Sequence, residues 1–173
     1  VVLHVTSLPS PYGIGDVGSA ALAWVDRLQE AGQRWWQVLP LGPTGYGNSP
    51  YQCLSSFVGN GLLVSPDWLI EDSLLQSSDC EDPSISSTAV DYDVVIPLKY
   101  GVLERAWPYF SAGTRPELQP AFEQFCYDQA HWLEDYALFR ALKARYHGVS
   151  YLEWPPELVE RRPAALARAR QDL

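Results

Sequence analysis

Residues 34–52 read R-W-W-Q-V-L-P-L-G-P-T-G-Y-G-N-S-P-Y-Q, an apolar run followed by a loop of glycine, proline and tyrosine. The run at 34–39 predicts a short buried strand, which Pro40 ends because proline has no backbone N–H to donate. The loop that follows, residues 41–52, suits three different structures. These are a plain surface loop, a phosphate-binding cradle and a sugar-binding rim.

The sequence upstream of this strand completes a recognisable unit. Residues 19–31 have apolar side chains at helical spacing, with Ser19 as a candidate cap and Gly32 as a left-handed stop. The β-branched run at 1–6 predicts an earlier strand. Strand, helix and strand at this spacing predict a right-handed βαβ unit with parallel strands. The two loops that follow the strands then share the edge where α/β proteins bind ligands.

The rest of the chain predicts mostly helix and loop. We expect a short helix opened by 65–67, a loop over 72–90, helices over 98–110 and 120–146, and a last basic helix that starts at Pro155 and Pro156 and is broken at Pro163. This change in pattern divides the chain into residues 1–60, with the βαβ unit, and 61–173. Two parallel strands alone do not make a stable covered sheet.

Composition excludes several classes of partner. The 173 residues carry a net charge of −9, which disfavours nucleic acid because its binders present basic patches. No run of about 18 apolar residues predicts a membrane helix. The histidines and cysteines form no metal-ligand cluster in sequence, so we expect no metal. The cysteines are odd in number and widely spaced, which favours reduced thiols in the cytoplasm: Cys53, Cys80 and Cys126.

Two glycine motifs resemble nucleotide-binding signatures. Residues 13–18 match G-x-G-x-x-G, but a long loop with two prolines separates them from the first strand, and no acidic residue ends the second strand to hold a ribose. Residues 42–49 nearly match G-x-x-x-x-G-K-S, with Asn48 in place of the lysine and Pro43 removing a backbone donor. We therefore expect neither a dinucleotide nor a phosphate, and no other cofactor.

The side chains of the 41–52 loop suit a neutral polyol. Aromatic rings pack on the C–H face of a sugar, while amide and hydroxyl groups pair with its hydroxyls. Glycines allow a close backbone approach, and prolines stiffen the loop and lower the entropy lost on binding. The alternative is a rigid connection whose tyrosines pack on the next segment. The candidate substrate-binding residues are Tyr46, Asn48, Ser49, Tyr51 and Gln52.

Four segments resemble the N-terminal part of the 4-α-glucanotransferases (amylomaltases, or disproportionating enzymes, glycoside hydrolase family 77). They are L-H-V-T-S-L-P-S-P-Y-G-I-G-D-V-G at 3–18, A-G-Q-R-W-W-Q-V-L-P-L-G-P-T-G-Y-G-N-S-P-Y-Q at 31–52, S-S-F-V-G-N at 55–60 and W-L-E-D-Y-A-L-F-R-A-L-K at 132–143. The resemblance implies an α/β fold, the start of a (β/α)₈ TIM barrel with about two parallel strands, and a mostly helical inserted subdomain.

The resemblance also implies a reaction and its substrates. These enzymes cut α-1,4-glucans such as maltose and maltooligosaccharides, and pass one part to the 4-hydroxyl of another sugar with retention of configuration. Their two catalytic carboxylates lie on later barrel strands, so we expect no catalytic residue in this chain. Glu134 and Asp135 fall in the helical match, where we expect structural contacts or solvent exposure. A related α-glucan hydrolase is the alternative, with water as acceptor.

The family's G-Y-G-D-S-P-Y-Q motif assigns roles to the 41–52 loop. Its serine and second tyrosine lie near the bound glucan, which implies those roles for Ser49 and Tyr51. Tyr46 matches a tyrosine associated with glucan binding on an outer surface. Departures from the family pattern are Val5 for proline, Asn48 for aspartate, Cys53 and Leu54 for serine and phenylalanine, and Gly61 for proline.

The chain starts with Val1 and contains no methionine. Together with a barrel that usually needs about 250 residues, this predicts the front part of a longer enzyme, inactive alone and dependent on the C-terminal part of the barrel. The alternatives are a non-catalytic glucan-binding module and one half of a two-chain enzyme.

Overall fold

Helices make up most of the part of the chain that the structure describes, which is residues 1–80, 85 and 89–173 of a computed structural model. The helices are α1 (Ser19–Glu30), α2 (Pro66–Glu71), α3 (Tyr92–Ser111), α4 (Gln119–Asp128), α5 (Ala130–Arg145), α6 (Pro156–Val159) and α7 (Pro163–Asp172). Short 3₁₀ turns lie at Val5–Ser7, Tyr46–Asn48, Gly61–Leu63, Ser77–Cys80, Pro116–Leu118 and Tyr151–Glu153. Packing separates two units, Val1–Gln119 and Pro120–Leu173.

Helix α1 confirms the predicted central helix of the first unit. Gly32 stops it in the left-handed region, with φ +67°. The expected cap is wrong, because Ser19 is the first helical residue and Gly18 takes the cap position. A Cβ atom on Gly18 would lie 2.4 Å from the Ser65 hydroxyl oxygen, so a side chain at this position would displace Ser65.

The two predicted strands pair at a single position. Val2 and Gln37 form an isolated parallel bridge, with the Leu3 N–H donating to the Gln37 carbonyl at 3.1 Å and the Gln37 N–H to Val1 at 2.9 Å. The described residues contain this bridge and no regular strand, so the prediction of two strands is not confirmed, while the predicted parallel direction is confirmed at the bridge. A two-stranded ladder without neighbours is marginal, which accounts for the short pairing.

One face of this pair is covered by α1. The cluster contains the buried residues Val5, Leu8, Ala21 and Leu63, with Leu3, Ala20, Trp24, Trp36 and Val38 packed against it. The Trp36 ring N–H also donates to the Leu3 carbonyl at 2.7 Å, which ties the two segments together. Apolar side chains at alternating positions of the 34–39 run thus reach α1, as a strand pattern requires.

Helix α3 begins earlier than predicted. The Asp91 carboxylate accepts a hydrogen bond from the Asp93 N–H at 3.0 Å and caps the helix, so α3 starts before Pro97 instead of after it. Its buried residues recur every three or four positions, at Val95, Lys99, Val102 and Ala106. This stripe packs against the Gly61–Leu63 turn, and burial outweighs the helix-weakening effect of Pro97. The confirmed short helix α2 follows the same turn.

The predicted loop at 72–90 lies partly outside the described residues. Residues 81–84 and 86–88 are not among them. In the described part, the segment contains the Ser77–Cys80 turn, and the Cys80 side chain is buried. The turn therefore belongs to the core of the first unit, together with Leu74 and Leu75.

The second unit is built around Trp154. The buried residues Leu138, Leu142 and Ala169 surround its ring, and the rings of Phe139 and Tyr146 lie 5.7 and 5.8 Å from it. This arrangement packs α5 against α7. The break predicted at Pro163 is confirmed, because α7 begins at that residue.

The predicted single helix at 120–146 is wrong. Gln129 leaves the helical conformation, with ψ 6°, and divides it into α4 and α5. Its side-chain oxygen accepts a hydrogen bond from the Trp132 ring N–H at 2.7 Å, which stabilises the bend. The packing boundary after Gln119 is distinct from the division at residue 60, which concerns barrel and insertion and stays a prediction.

Candidate functional site

The 41–52 loop folds back on itself so closely that two of its glycines have no room for a side chain. A Cβ on Gly45 would lie 2.1 Å from the Gln52 carbonyl oxygen, and one on Gly42 would lie 2.3 Å from the Cys53 sulfur. The Leu54 N–H donates to the Pro43 carbonyl at 3.3 Å and closes the base. The loop is thus a narrow projection with both ends held together.

The tip of the loop is a left-handed turn. Gly47 has φ +63° and Asn48 has φ +56°, within the short 3₁₀ turn Tyr46–Asn48. The Asn48 N–H donates to the Gly45 carbonyl at 3.1 Å. Asparagine is one of the few residues with a side chain that adopts this conformation readily. The sequence therefore specifies the backbone of the tip.

The two tyrosines of the loop project into solvent. The Tyr46 side chain is 90% exposed and that of Tyr51 is 72% exposed, so neither packs on the following segment. The Ser49 hydroxyl accepts a hydrogen bond from the Tyr51 N–H at 3.3 Å, which orients the backbone that carries the second ring. Gln52 is exposed beside them. The loop holds its backbone by internal hydrogen bonds and leaves its aromatic rings available.

Asn48 also lines a cavity of about 430 Å³ at the start of α3. Its other described lining residues are Ala89, Val90, Asp91, Tyr92 and Asp93. Carboxylates, an amide and a phenol give this cavity acceptors and donors that suit hydroxyl groups. An aspartate at position 48 would add a third carboxylate to this wall, so the amide lowers like-charge repulsion there.

A buried ion pair joins Asp16, in the loop that follows the predicted strand at 1–6, to Lys99 on α3. The Lys99 ammonium donates to the Asp16 carboxylate at 3.0 Å and to the Val64 carbonyl at 2.6 Å, and its side chain is only 1% exposed. The ammonium also lies 5.8 Å from the centre of the Tyr12 ring. One lysine thus connects α3 to two separate loops.

Burial shifts the protonation of this group of side chains. Desolvation raises the pKa of Asp16 and lowers that of Lys99, while their mutual attraction opposes both shifts. The pKa of Tyr12 is raised by burial and by the hydrogen bond that its hydroxyl donates to Asp67. No local sequence pattern indicates this network, because Asp16 and Lys99 lie 83 positions apart in the chain.

The acids of the second unit make the structural contacts that were expected. Asp135 accepts hydrogen bonds from Arg161 at 2.6 Å and Arg170 at 3.1 Å, which ties α5 to α7 and the segment before it. Glu134 is exposed on α5.

Comparison with known proteins covers the whole of this architecture. A family model described as 4-alpha-glucanotransferase matches residues 3–173. The chain belongs to the 4-alpha-glucanotransferase family. The resemblance carried by the four sequence segments is therefore confirmed.

Relatives within the family are much longer than this chain. The 4-alpha-glucanotransferase of Thermus thermophilus is 44% identical over 173 residues, which cover 100% of this chain and 34% of the relative. That of Synechocystis sp. is 42% identical over 167 residues, 96% of this chain and 33% of the relative. The chain thus spans about a third of the length of these 4-alpha-glucanotransferases.

A solved member of the family has the same fold over this region. The amylomaltase of Streptococcus agalactiae, solved in complex with acarbose, superposes with a TM-score of 0.91 and 35% identity. The match covers 100% of this chain and 35% of the amylomaltase. No helix in the described ranges has both the length and the apolar character needed to cross a membrane.

Proposed function

We propose that this chain supplies a glucan-binding loop of a 4-α-glucanotransferase. The proposed reaction transfers a segment of an α-1,4-glucan to the 4-hydroxyl of an acceptor glucose or glucan by a retaining double displacement. The observation that carries the proposal is the pair of exposed rings, Tyr46 and Tyr51, on a rigid loop within a chain that matches this family throughout.

The construction of the 41–52 loop supports this role. Its closed base and its left-handed tip fix the backbone before any ligand binds, which lowers the entropy lost on binding. Tyr51 offers a ring and a hydroxyl, and Ser49, Gln52 and Asn48 offer the polar partners that sugar hydroxyls need. We assign Tyr51 and Ser49 to the glucan bound at the active site, and Tyr46 to glucan binding on an outer surface.

The proposed enzyme is a (β/α)₈ barrel in which residues 1–60 form the beginning and 61–173 an inserted helical subdomain. The parallel bridge between Val2 and Gln37, with α1 on one face, supports this assignment because barrel strands are parallel and covered outside by helices. The three cysteines Cys53, Cys80 and Cys126 are free thiols, which favours the cytoplasm.

The proposed chemistry needs groups outside this chain. A retaining transfer uses two carboxylates about 5 Å apart, one as nucleophile and one as acid and base. In this proposal both lie on later strands of the barrel, in the two thirds that relatives have beyond the matched region. The chain's own part is to bind and orient the glucan.

A binding experiment tests the role of Tyr51. We expect Tyr51→Ala to weaken binding of maltoheptaose or acarbose, measured by calorimetry or NMR titration, by about 1–3 kcal/mol, because a ring contact and a hydrogen bond are lost. Tyr127→Ala is the matched control, since this tyrosine is similarly exposed but lies on α4 of the second unit. Equal affinities for the Tyr51 variant and the parent chain would remove Tyr51 from the site.

A further inference from the structure

Helix α3 and the segment before it form part of the wall of the cavity that Asn48 lines. We call this part the α3 wall, and it consists of Ala89, Val90, Asp91, Tyr92 and Asp93. Asn48 reaches the same cavity from the tip of the 41–52 loop. The width of the cavity therefore depends on where the start of α3 lies relative to this loop.

Apolar contacts hold α3 directly beneath the α3 wall. Val95 packs with Ile14 and Leu62 in a buried cluster. Two residues of the wall, Val90 and Tyr92, pack against the same cluster. Apolar burial is non-directional, so these contacts favour a packed helix without fixing how far it lies along its neighbours.

Lys99 gives α3 directional contacts one turn beyond Val95. Its ammonium donates to the Asp16 carboxylate at 3.0 Å and to the Val64 carbonyl at 2.6 Å. Both partners lie two residues beyond a member of the apolar cluster, so each bond acts on a segment against which α3 packs. The lysine side chain is buried, which keeps water from replacing either partner. The best-attested use of a buried polar group is to fix the register of packed elements.

We infer that Lys99 is a positioning residue for the Asn48 cavity: its two hydrogen bonds fix α3 along its neighbours and so hold the α3 wall at a set distance from Asn48. This inference rests on the proposed function, in which Asn48 pairs with glucan hydroxyls. Lys99 lies about two helical turns from Tyr92 and is buried, so it touches no sugar. Its effect passes through the apolar cluster that contains Val95.

A positioning role and a purely stabilising role are separable in this chain. The double variant Lys99→Met with Asp16→Asn removes the unpaired charge together with both directional bonds. Val102→Ala is the matched control, because it removes buried apolar atoms from the same helix without touching the ion pair. Val102 belongs to a different cluster from Val95. Both variants are studied at a temperature at which thermal melting shows them fully folded.

Two measurements on the folded chain test the inference. Amide hydrogen exchange, followed by NMR, reports the first turn of α3, where the Val94 and Val95 N–H groups donate to the Asp91 carbonyl. We expect the double variant to speed exchange in this turn, relative to α1, by about tenfold. Titration with maltoheptaose reports the cavity, and we expect the double variant to bind about threefold more weakly, because the wall must be ordered on binding. Val102→Ala should change neither quantity.

The outcomes separate this inference from the proposed function. Faster exchange and weaker binding in the double variant alone support the positioning role. Unchanged exchange, an affinity equal to that of the parent chain, or an equal response of Val102→Ala overturns it. If the parent chain binds no maltoheptaose, the proposed function is contradicted, and hydrogen exchange alone decides whether Lys99 positions the wall.

A second variant covers the case in which the double variant does not fold. Lys99→Met with Asp16→Leu replaces the pair by apolar side chains, an exchange that often leaves a protein at least as stable. It lacks the same two hydrogen bonds, so we expect the same faster exchange and weaker binding. Parent-like values of both would show that apolar packing alone positions α3, and would overturn the inference.

Discussion

Lys99 and Asp16 form a buried ion pair that connects α3 to two loops of the first unit. Their charges are almost completely removed from water, and each is satisfied by the other and by backbone groups. Such a pair contributes little net stability relative to apolar side chains, but loss of one partner leaves an uncompensated buried charge. The pair therefore makes the packing of α3 on the two loops strongly dependent on both residues.

We expect Lys99→Met to destabilise the chain by about 3–5 kcal/mol at neutral pH, because Asp16 then remains buried without a partner. The measurement is urea unfolding followed by tryptophan fluorescence. The double variant with Asp16→Asn should lose less than the single one, since the unpaired charge is gone. Arg162→Met is the control, because its ion pair with Glu160 is exposed and should matter little. Equal losses for the single and double variants would contradict this account.

Among the elements, the 41–52 loop owes its shape to positions where a side chain is excluded. We expect Gly45→Ala to destabilise the chain by about 1–3 kcal/mol, since the added carbon overlaps the Gln52 carbonyl and the backbone must move. Gly59→Ala is the matched control, because its Cβ would meet open space. Thermal unfolding and the NMR signals of Tyr46 and Tyr51 measure both effects. An unchanged loop in the Gly45 variant would show that the close approach is not required.

Helix α3 carries a proline that its packing tolerates. Pro97 is the sixth residue of the helix, where its missing N–H leaves the Asp93 carbonyl without its helical donor. We expect Pro97→Ala to stabilise the chain by about 1–2 kcal/mol in urea unfolding. This figure is the net gain, because the unfolded chain has more conformational entropy without the proline. Pro163→Ala should give no such gain, because proline suits the first position of α7. A gain of equal size at both positions would refute the explanation.

The elements that sequence predicted well are those set by local signals. Gly32 stops α1, Pro66 opens α2 and Pro163 opens α7, each through its own backbone preference. The bend at Gln129 has no such signal, and at the start of α3 the capping signal of Asp91 is opposed by Pro97, a helix breaker. They depend on a side-chain hydrogen bond and on burial against distant segments, which a single sequence does not display.

The candidate site divides in the same way. The residue types and the family motif predicted which side chains bind sugar, and the exposure of both tyrosine rings agrees with this prediction. These residues are Tyr46, Asn48, Ser49, Tyr51 and Gln52. The ion pair of Asp16 and Lys99 joins residues far apart in the chain, so no local pattern indicated it. Regular strands were expected from periodicity, but a strand needs neighbours, and only the pairing direction followed from the sequence.

At the scale of the whole molecule, the first unit is covered on one side and open on the other. A βαβ unit buries one face of its strands under the helix and needs other elements for the second face and both edges. The first unit fits this description, because Trp35 is exposed and the two segments pair only at the parallel bridge between Val2 and Gln37. The chain therefore has the parts that bind and orient a glucan in our proposal without the enclosure that catalysis requires, since water must be kept from the covalent intermediate for transfer to compete with hydrolysis.

The activity of the chain alone follows from this division. We expect no transfer when the purified chain is incubated with maltotriose, because the two carboxylates of a retaining reaction are proposed to lie outside it. Chromatography of the sugars should show maltotriose only, while the intact Thermus thermophilus relative under the same conditions serves as the positive control. A ladder of longer and shorter oligomers from the chain alone would place the catalytic acids within these 173 residues. Glu134 and Asp135 would then be the first substitutions to make, although Asp135 is held by two arginines.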